Sequence, residues 1–257
     1  MEQISFALQL YTVRNALKKD FWGTLKKVKE VGYEAVQLDG FIPYPGPQIR
    51  DVLQDNILKV VGMHVFDFRL LKENLKEYIN LCKMLDTQYI VLAVAPEEYR
   101  YTLNGWEELS NILNEIGKKC REENILLGYH NHSFEFIMKF DEKHVLDILL
   151  EKSDPSNLFV ELDTYWIKDA GENPAAYIRK YSGRCPLLHI KDMTPEKGFA
   201  EIGNGILDWK EIFHAAEKSN VEWCIVEQDA CAQDPLISIA TSLSYIRIIV
   251  PKYFMKK

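Results

Sequence analysis

The sequence predicts an α/β protein with one (β/α)8 barrel, the TIM barrel architecture, as a single domain over residues 1–257. Strand-like and helix-like segments alternate along the whole chain, which is typical of parallel strands joined by crossover helices. About eight such units share the 257 residues, which is the usual size of this barrel. Polar and ionisable residues recur where the predicted strands end, and this is where such a barrel builds its active site.

The predicted strands are short apolar runs that end in polar residues. Strands of a parallel barrel are buried on both faces, so they read as nearly continuous apolar segments. The first run, ISFALQL, and the seventh, CPLLHIKD, show this pattern. In chain order the predicted strands cover residues 4–10, 33–40, 58–65, 88–94, 125–132, 157–163, 185–192 and 222–229.

Segments with apolar residues at helical spacing lie between and after these strands. The first of them ends in a glycine, a common helix terminator. A doubly wound open sheet is the rival fold, but it usually carries a glycine-rich phosphate loop after its first strand. Residues 9–20 contain no glycine, so the barrel is favoured. The predicted helices cover residues 20–32, 47–56, 74–87, 105–124, 142–154, 173–183, 207–220 and 235–254.

Composition and charge narrow the class of function. The chain is 47% hydrophobic and 27% charged, as in ordinary soluble globular proteins. Its net charge of −7 argues against nucleic-acid binding, which depends on clustered lysine and arginine, so a small-molecule substrate is expected. A secretory signal and a membrane-spanning run are not evident, and we expect a cytoplasmic protein. The five scattered cysteines predict reduced thiols rather than a zinc-thiolate site. Association into a homo-oligomer is left open.

Three strand ends carry residues that predict a metal site. Asp163, His189 and Glu227 follow the apolar runs of the sixth, seventh and eighth predicted strands. In a barrel these side chains would converge on a single divalent cation. Carboxylates and imidazoles suit Mn²⁺, Co²⁺, Zn²⁺ or Mg²⁺, and the sequence does not choose among them. A second interpretation applies to Asp163, which also stands where an aspartate would cap the following helix.

Several segments together resemble the sugar phosphate isomerase/epimerase group of xylose isomerase-like TIM barrels. The resemblance extends over essentially the whole chain, and the order and spacing of the segments are more specific than any one of them. The segments are FALQLYTVRNALKKD, VGYEAVQLDG, VVGMHV, YHNHSFEF, VELDTYW, PLLHIKDM, EIGNGILDW and CIVEQD.

The resemblance implies a divalent metal held by ligands on the fifth to eighth strands. Many members of the group use Glu, Asp, His and Glu, and the last three match the metal candidates named above. This chain departs on the fifth strand, where YHNH places His130 in the position of the family glutamate, with His132 beside it. A neutral imidazole can still bind the metal or act as a base, but a relay between two glutamates is lost. Glu135 is a reserve candidate.

The chemistry implied by the resemblance is metal-assisted removal of a proton next to a carbonyl group. The cation would hold adjacent carbonyl and hydroxyl oxygens of a sugar and stabilise the enediolate. Glu227 would remove or return the carbon-bound proton. His130 or His132 would act from the opposite side.

The remaining strand-end residues are candidates for substrate binding. Lys191 or His64 would hold substrate oxygens. Trp166 would offer an apolar face to the C–H surface of a sugar. Gln9 and Asp39 complete the predicted pocket.

The main prediction is therefore a metal-dependent sugar isomerase or epimerase. The alternative is a metal-dependent lyase or dehydratase acting on a keto-sugar, a keto-inositol or a 3-keto-glycoside, because a one-base elimination tolerates the histidine at position 130 better. A nuclease resembling the AP endonuclease relatives of this barrel is less favoured, since the chain has only six histidines and a negative net charge. A non-catalytic sugar-binding barrel is also less favoured.

Overall fold

A computed structural model describes residues 4–40 and 44–254 of the protein. Eight parallel strands pair in sequence order and close into a barrel, which confirms the predicted fold. The barrel strands are β1 Ser5–Gln9, β2 Ala35–Leu38, β3 Lys59–Val65, β4 Tyr89–Leu92, β5 Leu126–His130, β6 Leu158–Asp163, β7 Leu187–Ile190 and β8 Trp223–Val226.

Helices connect the strands and surround the barrel. Most predicted helices are present, and several connections carry an additional short helix. The helices are α1 Arg14–Lys19, α2 Phe21–Val31, α3 Gly46–Asp55, α4 Phe68–Glu73, α5 Leu75–Met84, α6 Leu103–Glu122, α7 Phe134–Ile137, α8 Val145–Lys152, α9 Thr164–Asp169, α10 Pro174–Lys180, α11 Trp209–Lys218 and α12 Pro235–Phe254. Within the described ranges, none of these helices combines the length and apolar character needed to cross a bilayer.

The floor of the barrel is apolar and closes the end opposite the strand carboxyl termini. Side chains from several strands meet there in a buried cluster that includes Ala7, Phe159 and Ile225. Gly128 makes room for this packing, because a Cβ atom at this position would lie 2.3 Å from the Phe159 ring. The polar interior of the barrel therefore begins above the Phe159 ring.

Strand alternation fixes which residues point into the barrel above this floor. Side chains two residues apart share a face of a strand. On β6 the inward Phe159 is therefore followed by Glu161 and then Asp163, all of them buried. The same step on β7 leads from Leu187 to His189. The barrel thus carries an apolar floor, a polar middle layer and a polar upper layer at the mouth.

Candidate metal centre and active site

Four predicted ligands come together at the mouth of the barrel. His130, Asp163, His189 and Glu227 are all buried, and one ligand atom from each lies within 4.8 Å of the others. His130 Nε2 lies 3.7 Å from Asp163 Oδ2, and His189 Nδ1 lies 2.8 Å from Glu227 Oε2. We call these four residues the upper cluster. The structure places them as a metal site requires, and their role as ligands stays a prediction.

Lys191 places a positive charge inside the upper cluster. Its Nζ lies 3.0 Å from Asp163 Oδ2, 2.7 Å from Glu227 Oε2 and 3.1 Å from Asp229 Oδ1. Burial alone would lower the pKa of Lys191, but the three carboxylates outweigh burial and raise this pKa well above its ordinary value. A buried ammonium is tolerated only when it is paired in this way. The predicted role of Lys191 in holding substrate oxygens is untested, and its contacts here are carboxylates.

The ionisation of Glu227 follows from the same contacts. Burial alone would raise the pKa of this carboxyl group, but Lys191 and His189 hold it well below its usual range. Glu227 is therefore a carboxylate at neutral pH. A carboxylate at the mouth of a barrel can accept a proton or bind a cation.

Asp163 uses its two oxygens for different purposes. Oδ1 accepts hydrogen bonds from Tyr165 N at 2.9 Å and Trp166 N at 3.2 Å, and so caps α9. The buried Oδ2 has no hydrogen bond of regular geometry within the described residues, and it lies 3.0 Å from Lys191 Nζ and 3.7 Å from His130 Nε2. The predicted capping role is therefore confirmed, and it leaves the second oxygen available to a cation.

Glu161 lies one layer below Asp163 and was missed by the sequence analysis, which considered only strand ends. Its Oε2 lies 2.5 Å from His64 Nε2, 3.0 Å from His130 Nδ1 and 3.3 Å from His189 Nε2. These four residues form a second group of potential metal ligands, which we call the deeper cluster. The available signal was a glutamate within an otherwise apolar run, two residues before Asp163 and so on the same face.

Gln37, also missed, connects the deeper cluster to the far side of the barrel. Its Nε2 donates to Glu161 Oε1 at 2.6 Å, and its Oε1 accepts from Gln9 Nε2 at 2.7 Å. His189 Nε2 lies 2.6 Å from the same Gln37 oxygen. Gln9, a predicted pocket residue, is therefore fully buried inside the barrel.

The two other predicted pocket residues on the first half of the barrel are also buried. His64 is 3% exposed, and its Nε2 is already engaged by Glu161. Asp39 follows the end of β2 and is 3% exposed. Substrate contacts by His64, Asp39 and Gln9 remain predictions.

His132 and Trp166 lie together at the side of the upper cluster. Their ring centroids are 5.4 Å apart, and the Lys191 ammonium lies 5.7 Å from the Trp166 ring centroid. His132 Nδ1 and Trp166 Nε1 are buried and have no hydrogen-bond partner among the described residues. Burial and the charge of Lys191 lower the pKa of His132 to about 3, so this ring is neutral at pH 7. Two unsatisfied polar atoms beside the cluster indicate a surface for a polar ligand.

Glu135, the reserve candidate, lies outside both clusters. It is fully buried on α7, where it accepts hydrogen bonds from Tyr129 Oη and from His132 N. Burial raises the pKa of this carboxyl group from 4.5 to about 8. These contacts fix the loop after β5, and a role for Glu135 at the metal stays a prediction.

The raised pKa of Glu135 predicts a pH-dependent stability that Glu135→Gln should remove. The folded chain keeps this proton up to about pH 8, whereas the unfolded chain releases it near pH 4.5. The wild-type chain should therefore lose stability as pH rises between these values, by up to about 1.4 kcal/mol per pH unit from this group. Urea unfolding of both chains between pH 5 and pH 8.5 should show that the free energy of unfolding of the variant increases relative to that of the wild type as pH rises. A constant difference would contradict the prediction.

The upper cluster fits a divalent cation. It offers two imidazole nitrogens and two carboxylates, a donor set that suits Zn²⁺, Mn²⁺ or Co²⁺. Burial dominates the pKa of His130 and holds it well below the ordinary value, so this ring is neutral and can act as a ligand. Asp163 would bind through Oδ2, which has no hydrogen bond of regular geometry within the described residues. The ammonium group of Lys191 already shows that this position attracts positive charge.

Comparison with known proteins shows the family to which this barrel belongs. The family model described as a xylose isomerase-like TIM barrel matches residues 25–247. The chain belongs to the xylose isomerase-like TIM barrel family. The family resemblance seen in the sequence is thereby confirmed, together with the barrel that it implied.

Relatives of this xylose isomerase-like chain are enzymes, in agreement with the enzyme that the sequence predicts. The inosose dehydratase of Clostridium tetani (strain Massachusetts / E88) is 28% identical over 168 residues, which are 57% of this chain and 55% of that protein. The chain thus spans about half the length of that curated relative. The inosose dehydratase of Geobacillus kaustophilus (strain HTA426) is 26% identical over 254 residues, covering 83% of this chain and 80% of that protein.

A solved structure resembles this xylose isomerase-like chain over nearly its full length. It is a sugar phosphate isomerase/epimerase from Parabacteroides distasonis ATCC 8503, with a TM-score of 0.84 and 21% sequence identity. The alignment covers 97% of this chain and 95% of that one. At this identity the comparison supports the fold.

Proposed function

We propose that the protein is a divalent-metal-dependent enzyme that removes a proton next to a carbonyl group of a sugar or a keto-inositol. The observation that carries this proposal is the buried upper cluster, in which Glu227 is both a ligand candidate and an ionised base. When bound there, a divalent cation supplies Lewis-acid polarisation of the substrate carbonyl and stabilises the negative charge that follows proton removal.

The residues around the cluster suggest how a substrate would be held. Trp166 Nε1 is a donor without a partner and would donate to a substrate oxygen. His132 Nδ1, also without a partner, would complete a second polar contact. Lys191 stays protonated at neutral pH and so would hold an oxygen rather than supply its proton. Glu227 would take the carbon-bound proton on its carboxylate.

The acid and base groups favour chemistry that needs one base. Epimerisation at a single carbon uses two bases on opposite faces of the substrate. Within the upper cluster, the oxygens of Asp163 are divided between the cap of α9 and the Lys191 ammonium, so Glu227 is the carboxylate that remains free of a helix cap to act as a base. Elimination of water from a keto-sugar or keto-inositol can use a single group, because the proton that Glu227 takes from carbon can be returned to the hydroxyl group, which then leaves as water. We propose it as the principal reaction. The inosose dehydratases among the relatives support this choice.

Isomerisation between an aldose and a ketose is the second candidate. A single base on one face can carry a proton between adjacent carbons, so the same Glu227 carboxylate would serve. The resemblance to the sugar phosphate isomerase/epimerase group supports this reaction as well. Because both reactions begin with the same proton removal, the product rather than the first step separates them.

Proton exchange in D₂O tests the proposal directly. Metal-loaded protein is incubated with a panel of ketoses, keto-inositols and 3-keto-glycosides, and replacement of C–H by C–D is followed by NMR. We expect exchange with at least one class, and we expect chelation of the metal to abolish it and its return to restore it. An unsaturated ketone product would identify a dehydratase, and a rearranged sugar an isomerase.

Two outcomes would contradict the proposed function. Exchange that continues at the same rate after full chelation would exclude a metal-dependent step. Absence of exchange across the panel, with one equivalent of metal bound, would favour a sugar-binding protein that does not catalyse proton removal. Calorimetry of the same panel with metal-loaded and with chelated protein distinguishes this second outcome from a panel that lacks the true substrate. Binding without exchange would indicate a sugar-binding protein, and absence of binding would indicate that the substrate is missing from the panel.

A further inference from the structure

We infer that Glu161 and Gln37 are positioning residues that hold a hydrogen on the deeper nitrogen of His189 and of His130, so that each imidazole directs its other nitrogen at the upper cluster, where it can bind a cation. This inference rests on the proposed metal site and extends it to a layer of the barrel that does not touch the metal position. The hydrogen-bond directions in the deeper cluster determine which ring nitrogen carries the proton.

The amide of Gln37 has one orientation that satisfies its neighbours. An ionised carboxylate only accepts hydrogen bonds, so the Gln37 group 2.6 Å from Glu161 Oε1 must be the donor Nε2. On the opposite side Gln9 accepts from the backbone N–H of Tyr11 through its Oε1, at 3.3 Å, and so turns its own Nε2 towards Gln37. Both ends of this chain of hydrogen bonds therefore place Gln37 Oε1 towards His189.

The tautomer of His189 follows from this orientation. Its Nε2 lies 2.6 Å from Gln37 Oε1 and 3.3 Å from Glu161 Oε2, and both of these atoms are acceptors. Nε2 therefore carries a hydrogen. Nδ1 faces the upper cluster, where it lies 2.8 Å from Glu227 Oε2, and a cation bound there would take the place of a hydrogen on Nδ1. A metal-binding histidine commonly donates its other N–H to a carboxylate or a carbonyl oxygen in this way.

The Glu161 carboxylate also orients His130, but in this ring Nδ1 faces the deeper cluster and Nε2 faces the upper cluster. Its Nδ1 lies 3.0 Å from Glu161 Oε2 and donates to it, so Nε2 is directed at the upper cluster, 3.7 Å from Asp163 Oδ2. His64 donates to the same Glu161 oxygen from 2.5 Å. Glu161 thus accepts one hydrogen bond on Oε1, from Gln37, and two on Oε2, from His64 and His130, which is within the approximately four acceptor positions of an ionised carboxylate.

The two clusters therefore have different functions although they share two histidines. His130 and His189 each turn one nitrogen to the upper cluster and the other to the deeper cluster. The nitrogens on the deeper side carry hydrogens, so they are not available as ligands there. The deeper cluster is the support that orients the ligands, and the upper cluster is the position for the cation.

Glu161→Gln tests this inference because neither orientation of the new amide preserves the network. If the amide NH₂ replaces Oε2, it faces His130 Nδ1 and requires that ring to change tautomer. If the NH₂ replaces Oε1, it meets the NH₂ of Gln37, which must turn and so withdraw its oxygen from His189. We expect Zn²⁺ affinity, measured by isothermal titration calorimetry, to fall about 10- to 100-fold.

Glu135→Gln is the matched control. Glu135 is also a fully buried glutamate on this side of the barrel, but it contacts Tyr129 and the backbone of His132 rather than the ligand rings. Its pKa of about 8 means that it is already largely neutral at pH 7, so the amide closely replaces it. Zn²⁺ affinity of this control should stay within about twofold of the wild type.

Imidazole ¹⁵N NMR provides the readout that a purely structural role would not change. In the Zn²⁺-loaded wild-type chain, we expect a hydrogen on Nε2 of His189 and on Nδ1 of His130. The Glu161→Gln chain should show loss of one of these assignments. A hydrogen on Nδ1 of His189 in the Zn²⁺-loaded wild type, or Zn²⁺ binding by Glu161→Gln within twofold of the wild type, would overturn the inference.

Failure of the proposed metal function has a different signature. If the wild-type chain binds none of Zn²⁺, Mn²⁺ or Co²⁺, the proposed function fails. The NMR spectrum of the metal-free wild type would still show whether Nε2 of His189 and Nδ1 of His130 carry hydrogens. Should Glu161→Gln not fold, as judged by circular dichroism, the wild-type spectrum and Gln37→Met decide the inference. Gln37→Met removes the acceptor of His189 without placing a second donor beside Glu161, and it should lower Zn²⁺ affinity several-fold, whereas unchanged affinity would count against Gln37.

Discussion

Asp163→Asn is expected to abolish tight binding of a divalent cation while the barrel stays folded. The amide keeps one oxygen, which can continue to cap α9 through Tyr165 N and Trp166 N. Its NH₂ group would replace the oxygen that faces the upper cluster and would point a donor at the Lys191 ammonium, now 3.0 Å away. Loss of a direct ligand should cost at least about 100-fold in affinity, beyond the usual effect of an outer-shell change. Elemental analysis and calorimetry measure the result.

Asp208→Asn is the matched control for this substitution. Asp208 is exposed and caps α11 through a hydrogen bond from Glu211 N at 3.0 Å, so it has the same capping role without a place in either cluster. Its variant should bind the cation as the wild type does. Removal of the imidazole in His189→Ala should reproduce the loss seen with Asp163→Asn. Full metal occupancy in folded Asp163→Asn and in folded His189→Ala would show that the upper cluster is not the metal site.

The barrel was predictable from the sequence because its signal is local and repeated. Each apolar run is short enough for a strand, and each is followed by a helix of ordinary length, so errors in one unit do not change the fold. The boundaries were less accurate. The predicted fifth strand extended to His132, whereas β5 ends at His130, and Lys191 and Glu227 likewise lie just beyond the paired residues of β7 and β8. Polar residues that begin a loop are difficult to separate from a strand end by pattern alone.

The ligand candidates were predictable for the same reason, and the layer beneath them was not. Asp163, His189 and Glu227 stand at strand ends, where barrel geometry alone brings distant residues together. Glu161 and Gln37 stand inside strands, where a single polar residue is also compatible with an outward or solvated position. Only the closed barrel shows that Gln37 of β2 reaches Glu161 of β6, because their contact spans 124 positions of sequence.

The position of Lys191 depends equally on the closed structure. The sequence placed it near the substrate as a cation for oxygens. Its ion pairs with Asp163 and Glu227 depend on how far β7 extends relative to its two neighbours, which the apolar pattern does not define. A lysine among the ligand candidates means that cation binding must rearrange these ion pairs, so the affinity of the site includes the cost of moving this ammonium group.

Glu227→Gln is expected to remove proton exchange even when the metal site is filled. A glutamine carbonyl oxygen can still bind a cation, so saturating Mn²⁺ should restore occupancy. The amide cannot accept the carbon-bound proton, and loss of a positioned general base usually costs 10²- to 10⁴-fold in rate. We therefore expect the rate of C–H to C–D exchange at saturating metal to fall by about this factor. The NMR assay described above, with metal content measured on the same samples, gives the comparison.

Glu222→Gln is the control for Glu227→Gln. It tests whether the loss of proton exchange depends on a glutamate at the mouth of the barrel or follows from any such substitution next to β8. Glu222 precedes β8 at the opposite end of the barrel, where it accepts a hydrogen bond from Tyr89 Oη at 2.6 Å. Its variant should exchange protons at the wild-type rate. If Glu227→Gln with full metal occupancy also kept the wild-type rate, Glu227 would not be the base, and the proton would have to be taken by a histidine at the mouth. In that case His132→Asn should become the slow variant.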